Sequence, residues 1–303
     1  MLPNLKKCAL CPRKCGIDRT REVGYCGAGE KIEVAHIMCH HWEEPPISGD
    51  PGGERASGTI FFAHCPLGCV YCQNGKISRR NSVGREMTAD ALACEMIALE
   101  KRGVYNINCV SPTHYTLGII DAVRTAREKG LGIPIVWNTG GYELAETVET
   151  LRGTVDIFLT DFKYASSALA LKYSHAEDYP EYAAASLAKM LEITGECVFD
   201  ENGMMKRGVI VRHLVLPGHR DDSIAVLRKI AECVDVSKIK LSLMAQYTPD
   251  FLPPKCENDP FAKIRRKITT YEYEKVAEEA YRLGFDGYMQ DRSSATKNFT
   301  PDF

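Results

Sequence analysis

Three cysteines fall within eight residues, Cys65-Pro-Leu-Gly-Cys69-Val-Tyr-Cys72, directly after the apolar run Gly58–Ala63. No other feature constrains the fold as strongly. Three thiols this close cannot all point into one packed core, but a loop can turn all three toward one soft metal centre. A structural zinc ion would need a fourth ligand, from His64 or from a distant residue. A four-iron cluster held by three thiolates keeps one iron open for chemistry. Ordinary buried or adventitious thiols are the remaining reading.

Cysteine placement extends the argument toward the start of the chain. Eight of the 13 cysteines lie in the first 72 residues. The beginning MLPNLKKCALCPRKCG has no apolar stretch of a signal peptide, and no apolar run is long enough to span a membrane. A reducing cytoplasm is therefore expected, where clustered thiols read as metal ligands rather than cystines. Cys8, Cys11, Cys15 and Cys26 supply four thiols, with Pro12, Gly16 and Gly27 as turn residues. They fit either a structural zinc knuckle or an auxiliary iron–sulfur cluster. Cys39, His36, His40 and His41 follow, as an additional ligand or as a polar loop beside the site. Cys94, Cys109, Cys197, Cys233 and Cys256 are scattered and read as packing.

Residues 1–56 read as irregular, a cysteine-rich segment without a core of its own that needs a staple. From residue 57 the texture changes. Gly58–Ala63, Asn106–Val110, Ile133–Trp137, Val155–Thr160, Gly208–Leu214 and Ile239–Met244 are apolar without strict alternation, as expected of strands buried on both faces. Helical patterns separate them: Thr88–Arg102, Leu117–Lys129, Glu143–Leu151, Tyr182–Ile193, Asp221–Cys233 and Thr270–Leu283. Six strand–helix units predict an α/β fold with a parallel sheet, too few for an eight-fold barrel. The expected architecture is a partial (β/α)6 TIM-like barrel over residues 57–303, preceded by the metal-knuckle segment 1–56; a doubly wound sheet is the alternative.

In parallel barrels the functional groups sit at strand C-termini. There this chain places Ser111 and Thr113 with His114, then Asn138 and Thr139 before Gly140-Gly141. Asp161 and Lys163, Arg212 with His213, and Gln246 follow. Together with Cys65, Cys69 and Cys72 they form a candidate ligand mouth. Taken singly, each has a plain alternative, such as an end-of-strand ion pair or a helix-start turn. The net charge of −2 and the lack of a basic aromatic platform weigh against nucleic acid as a partner. The run Lys263-Ile264-Arg265-Arg266-Lys267 reads as a solvated approach to a helix or a docking patch for an acidic electron donor.

The cysteine loop after the first strand, with Tyr71 before its last cysteine, resembles the radical SAM superfamily. CALCPRKCG, GYCG, EEPPISG, GTIFF-x2-C and VYCQN-x2-IS further resemble relatives of the pyruvate formate-lyase activating enzyme, in a longer and less characterised branch. The resemblance implies a 4Fe-4S cluster on Cys65, Cys69 and Cys72, with S-adenosylmethionine on the open iron. It implies reductive cleavage to a 5′-deoxyadenosyl radical, an electron donor such as flavodoxin or ferredoxin, and hydrogen abstraction from a substrate such as the glycine of a glycyl-radical enzyme. Ser111 and Thr113 stand where such proteins carry a glycine-rich stretch. Asn138-Thr139 takes the place of an aspartate–threonine turn, Asp161 and Lys163 match a D-x-K, Arg212 matches an arginine near the ligand, and Gln246 replaces a histidine. Modification of another protein, peptide, RNA or small molecule, or a non-catalytic metal or redox role, would use the same loop.

Overall fold

The apolar runs that lack alternation do form strands covered on both faces. The structure, a computed structural model, describes residues 5–290. Ten strands lie among them: β1 Ile32–His40, β2 Ser57–Phe62, β3 Arg85–Met87, β4 Ile107–Val110, β5 Ile135–Thr139, β6 Ile157–Asp161, β7 Val198–Phe199, β8 Met205–Leu214, β9 Lys240–Met244 and β10 Gly287–Met289. Every residue of β2, β4 and β5 is buried. A face open to water would have required polar alternation.

The sheet runs in the order β10-β9-β8-β6-β5-β4-β2-β1-β3. From β2 to β10 all neighbours are parallel, with helical crossovers between them. The two edges, β10 and β3, do not pair with each other, so the barrel is partial, as expected. The six predicted runs all lie in this parallel set. β10 adds a seventh strand, three residues long and paired with Leu241–Leu243; a segment this short carries no readable period.

The expectation of irregular backbone through residue 56 gives way at β1. This nine-residue strand runs antiparallel to β2 and extends the sheet. Its register slips between Val34 and His36, which breaks the alternation that would have marked it in the sequence.

Helices cover the sheet: Ala89–Lys101, Thr116–Glu128, Ala145–Glu149, Ser167–Ser174, Tyr179–Thr194, Arg220–Cys233 and Thr270–Arg282. Thr88 Oγ1 accepts the Ala91 amide at 3.2 Å, and Thr269 with Glu272 forms a capping box. Ser167–Ser174 escaped the sequence reading because its eight residues have little amphipathic contrast. Ile60, Met96, Ile119 and Trp137 are fully buried between sheet and helices. Truncating Met96 to alanine would cost about 2–5 kcal/mol. No helix among the described residues is long and apolar enough to cross a membrane.

Candidate active site

The chain leaves β2 and β4 through one unusual residue each. His64 takes φ 73°, and Ser111 at the corresponding end of β4 takes φ 56°. Non-glycine residues in the left-handed region carry strain that the surroundings must hold in place. His64 is fixed by its ring, with Nδ1 3.2 Å from Arg79 O and Nε2 3.3 Å from Glu33 Oε1. Ser111 donates its amide to Asn138 O at 2.9 Å. Both bends direct the following loops over the C-terminal mouth of the sheet.

That mouth is a cavity walled by Cys65, Cys69 and Cys72, together with Tyr71, Ser111, Asn138, Thr139, Gly140, Asp161, Lys163, Arg212 and Gln246. Residues spread over 182 positions of sequence therefore converge on one space. Of the predicted group, Thr113, His114 and His213 do not line it. Thr113 is buried on the far side of the loop and donates its hydroxyl to Glu143 Oε1 at 2.7 Å.

Each cysteine sulfur of the loop has its own donor. Leu67 N lies 3.5 Å from Cys65 Sγ, Ser78 Oγ 3.3 Å from Cys72 Sγ, and Ser174 Oγ 3.0 Å from Cys69 Sγ. Ser174 receives a further bond from Tyr164 OH at 2.8 Å, and Tyr164 lies 2.5 Å from Tyr71 OH. Because Ser174 has one proton and gives it to sulfur, the chain of donors runs Tyr71 to Tyr164 to Ser174 to Cys69. Burial pushes the Cys65 thiol up to about 12, with Cys72 adding repulsion; Cys69 is also raised by burial, against the pull of Lys163. Thiols in such a setting stay protonated unless a positive centre takes the proton's place. Donors aimed at three sulfurs around one cavity suit a thiolate-bound inorganic cluster.

Opposite the cysteines is a buried charge network. Arg212 donates from Nε to Asp161 Oδ1 at 2.8 Å and from Nη2 to Asn138 Oδ1 at 2.5 Å; its Nη1 lies 3.4 Å from Glu43 Oε2. Lys163 Nζ pairs with Asp161 Oδ2. Burial disfavours the Asp161 carboxylate, but Arg212 and Lys163 outweigh it and hold the group below its usual range. Burial likewise opposes the Lys163 ammonium, and Asp161 and Cys69 more than reverse this, raising it to about 12. Asp161, Lys163 and Arg212 are thus ionised at neutral pH, whereas burial pushes Glu43 up. The turn after β5 must come close to the end of β6: a Cβ at Gly141, where φ is 79°, would lie 2.1 Å from Asp161 O. Only glycine fits there.

Three carboxylates of this region escaped the sequence reading. Glu43 accepts from Asn108 Nδ2 at 3.0 Å and Asn138 Nδ2 at 3.2 Å. Glu44 is buried beside it, and Glu143 gathers Thr113, Thr139 and Trp137 Nε1. The available signal was the acidic pair in Glu43-Glu44-Pro45-Pro46, which has no helical or strand period to explain it.

The N-terminal cysteines gather separately. Cys8 and Gly16–Ile17 are joined by two backbone bonds of 2.9 Å, Lys14 N closes a turn on Cys11 O, and Gly27 N closes another on Gly24 O. A Cβ added at Gly24 would lie 3.4 Å from Cys26 Sγ and 3.6 Å from Cys15 Sγ, so these two sulfurs meet over a glycine that leaves room for them. Cys8, Cys11 and Cys26 are buried, with the charge of Arg19 near Cys8 and Cys26. Among the described residues, no three His, Cys, Asp or Glu side chains are arranged around a single metal ion. Arg13, on this knuckle, reaches the other site: its guanidinium donates to the carbonyls of Pro66, Leu67, Ser174 and His175. Of the other residues noted in the sequence, His40 lines the main cavity, His114 donates from Nε2 to Ala63 O, and Arg265 and Arg266 of the basic run pair with Asp259 and Glu272.

Comparisons with known proteins agree with this fold. An uncharacterized protein of Methanocaldococcus jannaschii is 28% identical over 290 residues, covering 93% of this chain and 76% of its own length. A radical SAM methyltransferase from Sphaerobacter thermophilus superposes with a TM-score of 0.51 at 15% identity, over 77% of this chain and 66% of that one. Streptococcus suis SuiB bound to its precursor peptide SuiA also gives 0.51, at 14% identity, over 75% of this chain and 47% of that one. The chain thus spans about half to two thirds of the length of these structures, and at such identities the likeness is one of fold. The profile of the radical SAM superfamily matches residues 59–231, more than half of the sequence and all of the cysteine loop. This chain therefore belongs to the radical SAM superfamily, whose members carry a 4Fe-4S cluster and bind S-adenosylmethionine.

Proposed function

We propose that the chain is a radical SAM enzyme that takes a hydrogen atom from an organic substrate, with Cys65, Cys69 and Cys72 as the ligands of the 4Fe-4S cluster. The observation that carries this reading is the cavity itself, in which three donor-supported sulfurs face the buried Asp161–Lys163–Arg212 network. When bound, the cluster and S-adenosylmethionine supply one-electron cleavage of the sulfonium to methionine and a 5′-deoxyadenosyl radical, the electron coming from a donor of the flavodoxin or ferredoxin class. The chain's own groups have three tasks. Leu67 N, Ser78 and Ser174 stabilise the thiolates. Ser111, Asn138, Thr139, Lys163, Arg212 and Gln246 offer fixed donors and acceptors that orient the amino acid and nucleoside parts of the ligand. The packed tyrosines 71, 164, 173, 179 and 247 behind the loop keep water from that side.

Cys8, Cys11, Cys15 and Cys26 hold a structural metal group in this reading, a zinc ion or a second iron–sulfur cluster, which staples residues 1–56 to the domain that follows. A finer reading, supported by the activating-enzyme-like motifs, makes the substrate hydrogen a glycine α-hydrogen of a partner protein in the cytoplasm. Reduced protein mixed with S-adenosylmethionine is expected to release 5′-deoxyadenosine. Persistence of that product in Cys69→Ser would reject the ligand assignment. A glycyl-radical doublet on a co-incubated partner would support the finer reading, and its absence across such partners would reject it.

A further inference from the structure

The main cavity opens beside β8 and β9 into a second chamber of about 390 Å³, with which it shares Glu43, Arg212 and Gln246. That volume accommodates a substrate group rather than one or two ordered waters. Glu44 lines the chamber, is 8% exposed, and has a carboxylate oxygen with no hydrogen-bond partner among the described residues. A buried carboxylate oxygen left without a partner is costly unless something compensates it.

The Arg212 charge attracts Glu44, but among the described residues no cation pairs with it directly. Arg212 directs its nitrogens at Asp161, Asn138 and Glu43, and Lys163 is paired with Asp161. The set Glu43, Glu44, Asp161, Lys163 and Arg212 carries three acids against two bases, and burial pushes the two glutamates toward the neutral acid, so a third negative charge needs a cation from outside the set to hold it. Glu44 is the member without an ion-pair partner. The chamber also holds aromatic, thioether and amide groups, from Trp42, Tyr288, Met244, Met289 and Gln290, and the hydroxyl of Ser242. Aromatic faces beside a lone carboxylate favour a cation that carries its own apolar stem.

We propose that this second chamber anchors the substrate, and that Glu44 recognises a positively charged alkylammonium or guanidinium group on it. The inference rests on the reading of the first cavity as the site of S-adenosylmethionine. The cationic group sits against Glu44, and the carbon to be attacked extends past Gln246 toward the main cavity. A free amine or guanidine and a basic side chain within a peptide present the same chemistry.

The test uses the full chain, reconstituted with cluster and S-adenosylmethionine, and measures binding by calorimetry. The probes are propylguanidinium, its neutral isostere propylurea, and the blocked peptide acetyl-Gly-Arg-Gly-amide. Propylguanidinium is expected to bind on the order of tenfold or more tighter than propylurea, and Glu44→Gln is expected to remove that preference. Tighter binding of the peptide than of the free probe assigns the group to a peptide substrate, and the reverse assigns it to a small molecule. Equal binding of the two small probes overturns the proposal, as does an unchanged preference in Glu44→Gln. The comparison of probes on the unaltered chain stands even if the variant does not fold. Failure to form 5′-deoxyadenosine would instead strike the reading of the main cavity, and the binding result would remain interpretable.

Discussion

The two groups of cysteines differ in what surrounds them. Cys65, Cys69 and Cys72 line an open cavity, and each sulfur receives one N–H or O–H from the protein. Cys8, Cys11 and Cys26 are buried in a tight knuckle beside Arg19, away from that cavity. An inorganic group on the first set faces a space where a ligand can enter. One on the second set has its thiols turned into the protein, where it can fix the backbone. In the proposed reading the same residue type serves chemistry in one place and stapling in the other, and the cavity beside the first set makes the difference.

The sharpest way to break the comparison is to remove one sulfur from each group. Cys69→Ala is expected to reduce 5′-deoxyadenosine formation to background and to abolish cluster absorbance at the loop. Cys11→Ser is expected to lower metal content and the melting temperature while the signal of the first cluster persists. Elemental analysis and anaerobic spectroscopy of the two variants check this. Equal loss of catalysis and of cluster signal in both would mean that the groups do not have separate jobs.

A smaller effect is expected inside the charge network. Arg212→Gln leaves Glu43 and Asp161 short of their shared cation. Removing one partner of a buried pair costs about 3–5 kcal/mol, readable as a shift of the urea unfolding midpoint. The variant should also weaken binding of S-adenosylmethionine.

The link between the regions comes next. Arg13→Ala removes the donor that holds four carbonyls around Pro66 and His175. A loss of about 1–3 kcal/mol is expected, with faster release of iron from the loop than from the knuckle. Unchanged iron release would show that the knuckle does not brace the loop.

The smallest effect is on pH dependence, and it belongs to the barrel rather than to either cysteine group. His213 bonds through Nδ1 to Phe162 O at 2.7 Å, and its Nε2 is buried without a partner among the described residues. Burial lowers its pKa from 6.5 to about 4. Below pH 6.5 the unfolded chain binds a proton that the folded chain refuses until about pH 4, so stability is lost as pH falls through that window. Thermal melts between pH 7 and 4 should show this slope, and His213→Asn should flatten part of it.

Much of the fold was legible because burial on both faces leaves a simple mark. β2, β4, β5 and β6 could be read as apolar runs, and Thr88 and Gly103 bounded the first long helix. β1 was not readable, because its bulge breaks the alternation, and β10 was too short. In the site, Asp161 and Lys163 stood out by their adjacency at a strand end. Thr113 looked equivalent to Ser111, two residues away, yet the left-handed turn at Ser111 sends the following residue pair inward toward Glu143. Glu44 had no readable role, since the burial of its unpartnered oxygen exists only once β8, β9 and β10 close around it.

Residue chemistry and spacing alone determined that this chain carries a three-cysteine loop at the end of a buried parallel strand. Both properties are local: ligand type follows from the side chain, and strand burial from a few consecutive residues. Only the tertiary structure decided which groups face that loop, because Glu43, Asn138, Asp161 and Arg212 meet through the curvature of the sheet and not through sequence proximity. It also decided where a charge goes unmatched. Whether Glu44 is compensated depends on which buried base lies within reach, and that distance is set by packing, on which a linear pattern is silent.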